Sequence, residues 1–185
     1  IRNMLLRRQA AHGDVLVAAA VAPALKKMYP NCKISFSTFQ PDVLEGNPYI
    51  DKIVDENTVG ERSFQLYYNL DMAYEYRPKT NILKAYADVV GVKTEDCKLF
   101  LKTELMDGLP ESYIVMHSGT TNWVGRNWSP PKFDILAAQL QKQGHKIVCV
   151  GKSCDNKTAC DLDLRSKTTT QQLAQDRKST RLNSS

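Results

Sequence analysis

Residues 13–54 read GDVLVAAAVAPALKKMYPNCKISFSTFQPDVLEGNPYIDKIV, and this stretch decides the fold. Val15, Ala18, Ala19, Ala22, Leu25, Lys26 and Tyr29 recur at helical spacing. Asp14 stands where an N-cap belongs, Lys26 and Lys27 suit a last turn, and Pro30 is a stop, so the pattern predicts one helix ending near Tyr29. Residues 33–38 (KISFST) then alternate like a strand, 42–45 make a short helical turn closed by Gly46-Asn47-Pro48, and 52–54 form another brief strand. Working outward, residues 3–6 (NMLL) supply a strand ahead of the helix, 65–70 a further strand, and about 79–90 a helix that closes at Gly91. Strand and helix in alternation predict parallel strands with helices on both faces, because parallel neighbours need a crossover connection.

A polar, turn-rich stretch over 102–112, with Asp107-Gly108 and Pro110, precedes a second start. Residues 113–116 are a nearly continuous apolar strand. Ser129-Pro130-Pro131 opens a helix with the stripe Phe133, Leu136, Ala137 and Leu140, which Gly144 ends. Residues 146–150 give the next buried strand, and Thr169 with Gln172 reads as the capping box of one more helix. The expected organisation is α/β throughout, with one domain over 1–105 and an incomplete second over 106–175.

The last ten residues, 176–185, read DRKSTRLNSS, which resembles codon for codon the translation of a common short-read sequencing adapter. They are set aside from the fold as an artefact, and the helix that Thr169 opens is expected to be cut short there. The tail holds three basic residues and one acid. The 175 residues before it carry 22 basic and 19 acidic side chains, a net of +3, spread along the chain without the clustered basic face of a nucleic-acid binder. With 42% hydrophobic and 24% charged residues, the composition is that of a globular domain. The longest nearly apolar run, 15–25, is interrupted by Pro23 and falls short of the roughly 20 residues that cross a bilayer. The chain opens at Ile1 with Arg7 and Arg8 close behind the first apolar stretch, which is not a secretory layout, and reads as starting inside a reading frame. Five scattered cysteines point to a reducing cytoplasm.

In open α/β sheets, ligands bind beyond the carboxyl ends of the strands, so chemistry is sought in the loops 7–14 and 117–128. Neither carries a dinucleotide or P-loop fingerprint. In the first loop, Asp14 is the only carboxylate, and from the residues alone it reads as an N-cap. His12 and Arg8 lie beside it. In the second, Ser118, Thr120 and Thr121 offer hydroxyls, and Arg126 a fixed cation suited to phosphate. Trp123 and Trp128 offer rings for stacking or for packing. Asp161-Leu162-Asp163 spells a DxD triplet that recurs easily by chance. Cys149, Cys154 and Cys160 lack zinc spacing, and Tyr67, Tyr68, Tyr74, Tyr76 and Tyr86 read as packing residues of the first domain.

Residues 13–54, together with 113–151 (YIVMHSGTTNWVGRNWSPPKFDILAAQLQKQGHKIVCVG), resemble the two recurring segments of glycosyltransferase family 9, the bacterial lipopolysaccharide heptosyltransferases. Each element alone is common; their combination, order and separation, including the EGNPYID turn, carry the resemblance. It implies a GT-B type architecture, a Rossmann-like N-terminal domain on the acceptor side and the beginning of a second Rossmann-like domain on the donor side. It implies inverting, metal-independent transfer of a heptose-like sugar from a nucleotide-diphosphate sugar such as ADP-heptose to a lipid-linked saccharide of the lipopolysaccharide core. The location implied is the cytoplasm, with at most peripheral contact at the inner face of the inner membrane. Asp14 matches the family's catalytic aspartate, with Gly13, His12 and Arg8 beside the acceptor. Arg126 matches its donor-phosphate cation, with Ser118, Thr120 and Thr121 also on the donor side. The family often has lysine at the position of Arg126, and Ser129 here separates Trp128 from Pro130. The chain by itself is expected to be inactive. The competing reading is a non-catalytic α/β module that holds a nucleotide or sugar in the same loops.

Overall fold

The computed structural model describes residues 1–55, 60, 63–119 and 128–179, with the side chains of 176–179 excepted. The chain divides into two compact units, Ile1–Lys102 and Thr103–Ser185, the boundary falling a few residues before the one read from the sequence.

The first unit is a four-stranded parallel sheet built from β1 (Asn3–Arg7), β2 (Lys33–Ser37), β3 (Lys52–Val54) and β4 (Leu66–Asn69). Its order is β3-β2-β1-β4, the arrangement of a Rossmann-like half. Met4, Leu5 and Leu6 of β1 and Ile34 and Phe36 of β2 are fully buried, as strands covered on both faces must be. Val15, Ala18, Val21, Leu25, Leu70 and Tyr86 pack around them. Each large side chain buried here contributes about 1.5–3 kcal/mol, against ~0–1 kcal/mol for an exposed ion pair. The core, rather than the charged surface, therefore fixes where β1 ends.

Between β1 and β2 the predicted single helix is two, α1 (His12–Ala19) and α2 (Ala22–Met28). Pro23 is the cause: it has no N–H to give the carbonyl four residues back, at Ala19, and its ring collides with that carbonyl. The chain tightens there through Ala20 N–H to the Val17 carbonyl at 3.2 Å and Val21 N–H to that of Ala18 at 3.4 Å, and resumes with Leu25 N–H to Val21 at 3.0 Å. The start also differs. Helix α1 begins at His12, so Asp14 lies inside its first turn; the cap residue is Ala11, at φ 66°, with no side-chain cap.

Helix α3 (Ile82–Val90) opens later than the sequence pattern indicates, because the Asn81 side chain accepts from the Leu83 and Lys84 N–H groups. It closes on Gly91 at φ 73°, a conformation that costs glycine least. Of the five tyrosines expected to pack this unit, Tyr86 is fully buried and Tyr68 and Tyr74 pack against the core, whereas Tyr76 is exposed.

The second unit is a parallel sheet in the order β5-β6-β7, from β5 (Ile114–Met116), β6 (Ile147–Cys149) and β7 (Leu162–Asp163). Helix α4 (Pro130–Lys142) opens on its two prolines. Ile147 and Cys149 pack with Met116 and Ala137 beneath α4, while Val148 and Val150 pack with Leu164, so both faces of β6 are covered. Helix α5 (Thr170–Ser179) has the predicted capping box: Gln172 N–H donates to Thr169 Oγ1 at 3.1 Å and Thr169 N–H to Gln172 Oε1 at 3.0 Å. Its backbone continues four residues past Gln175, where the sequence pattern had it cut short; once a turn exists, each added residue extends a helix at little cost.

One device recurs in both units. Asp51, just before the edge strand β3, gives its N–H to the Ile34 carbonyl at 2.8 Å and takes the Ile34 N–H on Oδ2 at 2.7 Å, with Lys26 Nζ at 2.6 Å. Asp161, just before the edge strand β7, does the same with Ile147, at 2.9 and 3.0 Å, with Lys146 Nζ at 2.8 Å.

Candidate active site

All four strands of the first sheet end on one side, and the residues that follow them meet there. Arg8, next after β1, is turned inward, its side chain 7% exposed. Its Nη2 donates to Asp14 Oδ2 at 2.6 Å and to Glu75 Oε1 at 2.9 Å. The guanidinium lies over the rings of Tyr74, at 5.4 Å, and Tyr86, at 5.9 Å, which stand edge to face with centroids 6.1 Å apart. Tyr74 Oη donates to the same Asp14 oxygen at 3.1 Å.

Burial alone disfavours the charge on Arg8, but its bonds to Glu75 and Asp14 outweigh that and hold it firmly protonated. The hydroxyls of Tyr74 and Tyr86 are pushed above the ordinary tyrosine range, chiefly by burial. Two carboxylates thus share one guanidinium, an arrangement with surplus negative charge. Glu75 Oε2 is buried without a hydrogen bond among the described residues. Both carboxylates reach solvent, the Asp14 side chain being 20% exposed and that of Glu75 26%, and Asp14 is held by the Arg8 guanidinium and the Tyr74 hydroxyl. Among the described residues both its bonds fall on Oδ2, which leaves Oδ1 as the oxygen able to take a proton from a ligand. Asp71 fixes the loop after β1, accepting from Gln9 N–H at 2.9 Å and pairing with Arg7 Nη1 at 2.7 Å.

The other residues named from sequence fall as follows. Arg8 is not at the surface facing a ligand; its charge is spent on Asp14 and Glu75. His12 begins α1, half-exposed, with Nε2 3.6 Å from Asp42. Gly13 has open space where a Cβ would stand, so crowding does not demand glycine there. Ser118 is buried, and its hydroxyl is already committed: it donates to the Asn156 carbonyl at 2.7 Å and accepts from Thr158 Oγ1 at 2.8 Å. Thr120, Thr121, Trp123 and Arg126 lie outside the described residues. Trp128 packs edge to face on Phe133, centroids 4.9 Å apart, and remains partly exposed.

In the DxD triplet, Asp161 serves the strand junction above and Asp163 pairs with Arg165 at 2.8 Å. Cys149 is buried, and burial pushes its thiol up to about 12. Among the described residues no group of three or more His, Cys, Asp or Glu side chains is placed to hold a metal ion. Among the described residues no helix is long and apolar enough to cross a membrane.

Sequence reasoning did not single out Tyr74 as a ligand of Asp14, nor Glu75 at all, and no local signal marks them. It also missed Asp155, which holds His117 Nε2 at 3.2 Å and accepts the Lys152 N–H at 2.7 Å beyond the strands of the second sheet. Gly151, at φ 131°, makes room for this pair: a Cβ there would stand 2.8 Å from His117 Cδ2 and still closer to Asp155.

Two Rossmann-like parallel units in succession, each with its polar loops beyond the strand ends, form an α/β architecture consistent with a fragment of the GT-B fold. No family model and no curated protein matches the chain significantly. Its fold is similar to that of solved glycosyltransferase structures. One is a glycosyl transferase family 9 protein from Veillonella parvula DSM 2008, 16% identical over 94% of this chain and 72% of that one, TM-score 0.68. Another is TibC, the iron-containing dodecameric glycosyltransferase of enterotoxigenic E. coli H10407, 13% identical over 95% and 49%, TM-score 0.69. A third is the E. coli ADP-heptose lipopolysaccharide heptosyltransferase II, 12% identical over 94% and 75%, TM-score 0.61. At these identities the likeness is one of fold, and the chain spans only half to three quarters of each neighbour's length.

Proposed function

We propose that this chain carries the acceptor-side domain and the opening of the donor-side domain of an inverting, metal-independent glycosyltransferase. The enzyme would move a heptose-like sugar from a nucleotide-diphosphate sugar to a hydroxyl of a lipopolysaccharide-core or related saccharide. The observation that supports it is Asp14: a carboxylate beyond the end of β1, one-fifth exposed, paired with Arg8 and hydrogen-bonded by Tyr74. Among structures of similar fold, TibC has been solved with ADP-D-β-D-heptose and the E. coli heptosyltransferase WaaC with ADP, which supports a sugar-nucleotide donor here.

In this reading Asp14 Oδ1 accepts the proton of the attacking hydroxyl as its oxygen bonds to the anomeric carbon, and the nucleoside diphosphate leaves from the opposite face. Any carboxylate is a weak base beside an alkoxide, so the proton moves late, when the hydroxyl has become acidic through bond formation. Arg126 is assigned to the charge that builds on the leaving phosphate, with Thr120 and Thr121 beside it. Ser118 shapes the strand end rather than touching the donor, since its hydroxyl is occupied. Transfer is assigned to a chain that also supplies the part of the neighbours' length this one does not span, with the enzyme in the cytoplasm and at most peripheral to the inner membrane.

The test is Asp14→Asn in the complete enzyme. Transfer is expected to fall by on the order of 10²-fold or more while the donor binds nearly as tightly as before. Unchanged turnover would remove Asp14 from the mechanism; absence of transfer by the unsubstituted complete chain would favour the non-catalytic binding module.

A further inference from the structure

The Asp14 group holds one carboxylate more than its cation requires. A single nitrogen, Arg8 Nη2, serves both acids, Asp14 Oδ2 at 2.6 Å and Glu75 Oε1 at 2.9 Å, from a side chain only 7% exposed. Among the described residues the other titratable groups facing them are the hydroxyls of Tyr74, on the same loop as Glu75, and of Tyr86, on α3. Both stay neutral at ordinary pH, because burial pushes them above the tyrosine range. The group therefore carries a net negative charge. If one of its acids gains a proton, the other still compensates Arg8; a simple ion pair has no such reserve.

The two carboxylates are not equivalent. Asp14 also receives the Tyr74 hydroxyl on Oδ2 and keeps Oδ1 for a ligand. Glu75 is bonded only by Arg8 among the described residues, and its Oε2 is buried with no hydrogen bond. An incoming hydroxyl does not reach a buried oxygen, so Asp14 is the acid that changes charge and Glu75 the one that stays. Hydrogen bonding alone gives no reason for an acid at position 75, since half of its carboxylate is unbonded. Charge does. With Asp14 as its sole partner, Arg8 would become a buried cation without a counter-charge whenever Asp14 was protonated, and such a cation is costly.

We infer that Glu75 is the standing counter-ion of Arg8, a positioning residue that lets Asp14 take a proton without stranding the buried guanidinium. In the transfer step the hydroxyl oxygen bonds to the anomeric carbon. The bond from that carbon to the diphosphate oxygen breaks with its electron pair on the leaving group, and the proton passes to Asp14 Oδ1. The Asp14 group goes from a net negative charge to neutrality; without the charge of Glu75 it would go from neutrality to an unpaired positive charge. The inference rests on the transferase reading for what delivers the proton, whereas the sharing of Arg8 does not.

Urea unfolding of the 185-residue chain at neutral pH tests the sharing, with an amide in place of each protonated acid. Asp14→Asn and Glu75→Gln are each expected to lower the midpoint slightly, because one carboxylate remains on Arg8. The double variant is expected to lower it by about twice the sum of those losses or more, because none remains. Adding Arg8→Met to the double variant is expected to restore most of the excess, which a packing defect would not do. Beside Asp14→Asn, Glu75→Asp, which keeps the charge, is expected to hold a higher midpoint than Glu75→Gln. In the complete enzyme, Glu75→Gln is expected to move the acid limb of kcat/KM down by about one pH unit or more, with KM for the donor nearly unchanged. The inference is overturned if the losses add, if either single variant costs as much as the double, or if the acid limb does not move. Additive losses would leave Asp14 as the base, and an active Asp14→Asn enzyme would end the transferase reading without touching the urea result.

Discussion

Arg8 shows how much one side chain can be asked to do. A guanidinium withdrawn from water is tolerated only if carboxylates and aromatic faces replace its hydration, and Asp14, Glu75, Tyr74 and Tyr86 do so from three separate parts of the first unit. Removing the cation strands two carboxylates beside each other. Because both remain partly exposed, Arg8→Met is expected to cost about 2–3 kcal/mol, below the 3–5 kcal/mol of a fully buried broken pair. Urea unfolding should show it, and Arg8→Met combined with Glu75→Gln should recover part of the loss, since only one stranded charge then remains. Gly151 makes the complementary case in the second unit. An alanine there would have to hold φ 131° and displace both His117 and Asp155, so Gly151→Ala is expected to lower stability by about 2 kcal/mol or more, read as a lower urea midpoint.

At the level of the element, the chain was legible wherever the signal was local. The Thr169–Gln172 box, Gly91 and the double proline that opens α4 each act within one turn of themselves, and each stands where the sequence places it. The Ala-rich segment misled because its apolar spacing runs unbroken across Pro23, while the lost hydrogen bond to Ala19 and the ring clash break the helix without disturbing that spacing. The candidate site was half legible: Asp14 and Arg8 announce themselves in the loop after β1, but Glu75 lies 67 positions from the arginine it pairs with, and nothing near it says so. Asp51 and Asp161 were equally silent, since each acts on the backbone of a strand well before it. Asp51→Ala leaves the Ile34 N–H, deep in the sheet, without its acceptor and frees Lys26. A loss of about 1–2 kcal/mol is expected, with faster amide exchange at the β2–β3 junction as the local signature.

For the molecule as a whole, the aspartates set the response to acid. Bonds from Gln141, Lys146 and the Ile147 N–H hold Asp161 well below the ordinary carboxylate range. Burial would raise Asp51, but Lys26 and the Ile34 N–H outweigh it and pull it down. Hydrogen bonding from Arg165 lowers Asp163 to about 2. A carboxyl group more acidic when folded than when unfolded contributes its full stability above the unfolded value near 3.9 and loses it as pH falls through the folded one. Both units are therefore expected to hold their stability down to about pH 4 and to weaken between about pH 4 and 2, followed by circular dichroism in an acid titration. The recurrence of one aspartate device ahead of both edge strands gives that weakening a particular form. Protonating Asp51 and Asp161 loosens the outermost strand of each sheet and uncovers the amide rows of β2 and β6. Neighbouring molecules could then stitch together along those rows, so the acid state should be prone to clump into β-rich particles before it dissolves into separate unfolded chains.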